Sequence, residues 1–228
     1  MNQELIDKVL ACEWDMFTSV PSADGRAICQ DDYESFRIMR LAQASILSEE
    51  VLSSYLNDLQ SAKEHGRNLM TEKYGRMMEY TFPGEYERIQ KLLPGVTEQA
   101  KNLAAQIVSV FTQWSSQIQA KYPALAAIGR PADSSGDAYG IISSESYLRC
   151  ELLTMSERTL QLYAEYVDAQ KAHGVNLQQA ILEKTVAQYG YESLEQANEN
   201  VAVRMQRRKE SGIDQLYAEM SAGCCCCN

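Results

Sequence analysis

The stretch SEEVLSSYLNDLQSAKEHGRNL at 48–69 aligns without gaps to SERTLQLYAEYVDAQKAHGVNL at 156–177, and nine of the 22 positions are identical. Unrelated segments of average composition would share roughly one or two. A chain that carries the same segment twice must build the same local structure twice and bury the two copies together. Weaker matches extend the correspondence: YESF (33–36) faces SESY (144–147), Gly25-Arg26 faces Gly129-Arg130, and Trp14 faces Trp114. The pattern predicts a tandem duplication, with a first helical repeat over 1–98 and a second over 99–200. A C-terminal helix and a cysteine-rich tail over 201–228 have no counterpart. Units of this size are too large for a short-motif solenoid. Two bundles about a pseudo-twofold axis fit better, with any ligand site expected at their seam.

The periodicity is helical throughout. Leu5, Val9, Cys12 and Met16 recur at spacings of three and four, which predicts a helix over 2–17. Pro21 and Gly25 then break the pattern. Asp31 with Glu34 reads as the cap of the next helix, and Ser48 as the cap of another. Further helices are expected over 68–81, 84–93, 97–121, 144–154, 156–172, 177–189, 193–210 and 213–221. The stretch 123–143 is the longest expected loop. No segment sustains period-two alternation. The expected fold is therefore all-α: two tandem-duplicated helical bundles packed as one globular unit, with a flexible Cys-rich C-terminal tail.

Both histidines fall in the repeated HGxNL, His65 and His173. A His in a helix's last turn, a left-handed Gly and an Asn cap together make a helix–turn–helix joint. The repeated identities therefore describe architecture more than chemistry.

Charge excludes some partners. The net charge is −10 and the pI about 4.8, which repels nucleic-acid phosphates and anionic lipid. Neither nucleic acid nor membrane is an expected partner. No apolar run approaches the roughly 18 residues of a membrane span, and the first residues, with Glu4 and Asp7, do not read as a secretory signal. The expected location is the cytoplasm. The basic run Arg204, Arg207, Arg208 and Lys209 reads as a solvated helix face.

Candidate chemistry gathers in CEWDMF and GRAICQDDYESF. Glu13, Asp15, Asp31 and Asp32, with Arg26 and His65, are the candidate catalytic residues. Carboxylates on neighbouring helices can bind a hard cation or work as an acid–base pair. Trp14, Arg37 and Arg149 are the candidates for holding a cofactor. Glu13 shares a helix with the apolar stripe of Cys12 and Met16, so partial burial is expected, with Arg26, Arg37 or Arg40 as its partner. Neither histidine has a Glu three residues before it, which disfavours a carboxylate-bridged di-iron site.

EWDMF, GRAICQDDYESFRIMR, GRNLMTEKYGRMM, Tyr122-Pro123 and ESYLRCELLTMSERTLQLY, in that order, resemble an uncharacterised bacterial family of unknown function over most of 5–190. The resemblance implies a bacterial, anaerobe-associated cytosolic protein. It implies no established activity, so it assigns no site residue.

The chain ends AGCCCCN, with Cys224, Cys225, Cys226 and Cys227 as candidate metal ligands. Thiolates suit Cu(I), Zn or an Fe–S centre. Adjacent cysteines on an extended chain point to opposite sides, so one tetrahedral ion is poorly served. Linear or trigonal Cu(I), or a small cluster shared with a protein partner that contacts the tail, suits them better. Thiol–disulfide or persulfide exchange is the other chemistry open to them. Three functions are thus expected: soft-metal or sulfur delivery by the tail, an enzyme with an acid, Arg and aromatic pocket in the N-terminal half, or a helical interaction scaffold.

Overall fold

The computed structural model describes residues 2–21 and 25–211. These residues form eleven α-helices in chain order: α1 (Gln3–Thr18), α2 (Tyr33–Ala44), α3 (Glu49–Glu64), α4 (Leu69–Thr81), α5 (Pro83–Ile89), α6 (Glu98–Lys121), α7 (Pro123–Ala127), α8 (Ser144–Leu152), α9 (Glu157–Ala172), α10 (Leu177–Gln188) and α11 (Leu194–Ser211). Among the described residues there is no strand, only an isolated bridge between Ala138 and Ile141. None of these helices is long and apolar enough to cross a membrane. The helix expected over 213–221 and the four terminal cysteines lie outside the described residues.

Helix starts follow side-chain chemistry. Asn2, Ser48, Asn68, Thr97, Ser143, Ser156 and Asn176 each accept a hydrogen bond from the amide three residues on, at α1, α3, α4, α6, α8, α9 and α10. Each satisfies one of the amides that a helix leaves without an internal partner. The cap of α2 is Asp32, not Asp31. Its Oδ1 accepts from the Ser35 amide at 3.0 Å. Asp31 instead closes a 3₁₀ turn over Ile28–Asp31 and pairs with Arg26. Buried Gln30 holds that turn to α1, donating to the Phe17 and Val20 carbonyls at 2.8 and 3.0 Å. The expected loop over 123–143 opens with α7, because Pro123 occupies a first helical position where its missing N–H costs nothing.

The two joints are built alike. His65 and His173 end α3 and α9. Gly66 and Gly174 follow at φ +66° and +73°, and Asn68 and Asn176 start the next helices. His65 faces its own helix, with Nδ1 2.7 Å from the Ser61 carbonyl.

Packing interleaves the two halves of the chain. α1 lies on α3, and α6 on α9. α3 meets α9 across the seam, where the Ser54 and Thr159 hydroxyls bond at 2.7 Å. α4 packs on α8 and α10 on α2, so each half lends a helix to the other. Leu5, Ile6, Val9, Leu52, Tyr55, Leu59 and Leu69 fill one core region. Ile107, Phe111, Trp114, Leu152, Leu160, Tyr163 and Val167 fill a second, together with Ile46 and Val51 from the first half. α11 rests on α7 and α10 through Leu194, Ala197 and Val201.

The joints give a direct test. A Cβ at Gly66 or Gly174 meets no neighbour, so alanine is opposed only by the left-handed backbone, at about 1–2 kcal/mol per site. Gly66→Ala and Gly174→Ala are expected to lower the urea midpoint by similar amounts without changing helical content.

Candidate functional site

Four ionised side chains from four helices meet inside the first half and reach across the seam. Glu13 sits mid-way along α1, and the helical period turns it to the same inward face as Val9, Leu10, Met16 and Phe17. It is 1% exposed. A carboxylate this deep needs an ionic partner and further hydrogen bonds. Of the three arginines open to it in the sequence, Arg40 of α2 is the one it meets. Arg40 Nε donates to Oε2 at 2.8 Å and Nη2 to Oε1, forming a two-pronged pair. The Tyr55 hydroxyl of α3 also donates to Oε1, at 2.8 Å.

The chain of charge continues. Arg40 Nη1 donates to Glu151 of α8 at 3.1 and 3.2 Å, and to Gln43 Oε1. Lys73 of α4 donates to the other side of Glu151 and, at 2.6 Å, to the Tyr147 hydroxyl. Its ammonium also lies 3.8 Å from the Tyr147 ring centre, and Arg130 stacks on the same ring at 4.4 Å. The order is Glu13, Arg40, Glu151, Lys73, alternating in sign and neutral in sum.

Burial by itself would raise the Glu151 carboxyl. The charges of Arg40 and Lys73, with their hydrogen bonds, outweigh it and hold the group at about 2. Burial and the Glu13 charge push the Tyr55 hydroxyl well above its ordinary range, so it stays a donor. Beside the array, burial pushes the Cys150 thiol up to about 12, which leaves it protonated and inert.

The other sequence candidates stand apart from this array. Asp15 pairs with Lys63, and Arg26 with Asp31, both on exposed surface. Asp32 is a helix cap and His65 a helix end. Arg37 pairs with Glu34 one turn away on the α2 surface. Arg149 pairs with Glu145 along α8, in a shallow cleft against α6. Trp14 is half-buried among Phe17, Tyr33 and Phe36. Of the six candidate catalytic residues, only Glu13 enters the interior cluster. Among the described residues, no group of three or more His, Cys, Asp or Glu is placed to hold a metal ion.

Lys73, Tyr147 and Glu151 were missed by sequence reading. Each looks like an ordinary member of an amphipathic helix. One signal was present: continuing YESF against SESY without gaps places Arg40 opposite Glu151.

The family described as Protein of unknown function (DUF4125) matches residues 3–199. The chain belongs to the DUF4125 family. No curated protein and no solved structure matches it. The DUF4125 match contains the whole charge array. The basic last turns of α11 and the terminal cysteines follow it.

The array is expected to carry stability. Removing one member of a buried ion pair strands its partner, at about 3–5 kcal/mol. Glu151→Ala is expected to lose that much in urea unfolding, whereas Glu34→Ala, on exposed surface, should leave the midpoint unchanged. The pH dependence has a definite sign. Glu151 binds its proton more weakly folded than unfolded, so acid favours the unfolded chain. Its contribution is full above the ordinary carboxyl value of 4.5 and is lost as pH falls toward about 2. Wild-type stability should fall through that window, and Glu151→Gln should flatten the slope.

Proposed function

We propose that this DUF4125 protein is a duplicated helical platform that presents its C-terminal cysteines to a soft metal or sulfur species, for handover to a protein partner. The observation that carries this reading is the course of α11. Its first half is pinned by Leu194, Ala197 and Val201. From Ala202 to Ser211 every residue but Met205 is exposed. At 1.5 Å per residue, those two to three turns extend about 15 Å. An exposed helical end of this kind supports a tail whose thiolates are free to exchange a ligand.

The duplication belongs to the same reading. Matched caps, matched joints and the reciprocal packing of α4 on α8 and α10 on α2 support two related units, 1–98 and 99–200, each completed by the other. The body's ionised interior is closed and self-neutral, which suits a scaffold. The three cysteines of the body, Cys12, Cys29 and Cys150, are at least partly covered, which leaves Cys224–Cys227 as the exchangeable thiols.

The test is a Cu(I) and Zn(II) titration of the reduced full-length chain beside a variant ending at Gly223. The full chain is expected to bind additional Cu(I) that the shortened variant does not, with both retaining the same unfolding midpoint. Equal stoichiometry would overturn the reading.

A further inference from the structure

The exposed end of α11 has a charge that the rest of the chain opposes. Between Ala202 and Ser211 lie Arg204, Arg207, Arg208 and Lys209 against one acid, Glu210, a net +3. The whole chain is −10, so everything else sums to −13. Arg204 stands one turn from both Arg207 and Arg208. Like charges at that spacing weaken a helix by a few tenths of a kcal/mol each, so an anionic neighbour would steady it. Val203, 49% exposed, adds an apolar spot to the same turns.

An acidic surface of matching charge exists on the body. The starts of α1 and α3 lie side by side, joined by the Asn2 amide donating to Glu49 at 3.2 Å. Glu4, Asp7, Glu49 and Glu50 are all exposed on the first two turns of these helices, and with Lys8, which pairs with Glu4, these five residues sum to −3. The negative charges of Glu4, Glu49 and Glu50 complement the first turns of their helices.

We propose that two copies of this chain associate through these surfaces, the basic end of α11 from one copy lying against the α1–α3 edge of the other, and reciprocally. A twofold arrangement uses each complementary pair twice, and the contact closes without leaving a spare patch. A few helical turns bury little area, so charge rather than apolar burial drives the contact. The association is accordingly weak and sensitive to salt. It is independent of the tail's chemistry.

The experiment is sedimentation equilibrium of the reduced full chain over a range of concentrations, at low salt and near 1 M salt, where screening shortens to about 3 Å. At low salt the mass should climb from 25.6 kDa toward twice that value with concentration. In high salt it should stay at the single-chain value. Two variants sharpen the test. Arg204→Glu with Arg207→Glu, and separately Asp7→Lys with Glu50→Lys, should each remain single alone. Their equimolar mixture makes one native contact and one with reversed sign, and should associate. Circular dichroism checks folding, and Arg204→Gln with Arg207→Gln replaces the first pair if it loses helix. A single-chain mass at every concentration in low salt would overturn the proposal. So would an association that ignores salt, or one that survives in either variant alone.

Discussion

A carboxylate from the second half of the chain is held between two cations from the first, and the way the halves meet depends on it. Arg40 has one acid of its own half, Glu13, and Lys73 bonds to none among the described residues there. Glu151 completes both. Hydrophobic contacts between α4 and α8, or between α2 and α10, could slide by a turn at modest cost. A hydrogen-bonded ion pair in low dielectric cannot, because a displaced charge would be left without a partner. The array therefore fixes register where apolar packing only supplies cohesion.

The interleaving of helices follows from the same constraint. Were each half a closed bundle, its polar centre would have to balance internally. Within the array the first half supplies two cations and one acid, and Glu151 of the second supplies the balancing acid. Among the described residues of the second half, Phe111, Trp114 and Tyr163 pack as an aromatic group, and Glu151 is the acid this half lends to the array. The two halves thus match in caps and joints and differ in their interiors.

Much of the frame was legible in the sequence because caps, joints and helical period are local signals. Ser48, Ser156, Asn68 and Asn176 act at their own positions and need no knowledge of the fold. Errors arose where a neighbour in space decided between adjacent candidates. Asp31 and Asp32 are equally good caps on paper, and Arg26 settles the choice by claiming Asp31. Glu13 was readable as a buried acid from its helix alone. Its partner was one of three arginines, and Lys73 and Glu151 were hidden because their value lies in contacts across 78 and 111 residues.

The reach of those contacts bears on how the protein is made. During synthesis the first four helices leave the ribosome with Glu13, Arg40 and Lys73 in place and nothing to balance the second cation. The segment that carries Glu151 follows 78 residues later. Until then Lys73 keeps its water, α4 has no bed on α8, and the first half cannot settle into its final packing. The chain's centre is closed by a residue from beyond its midpoint, so folding is completed only when both halves are present together.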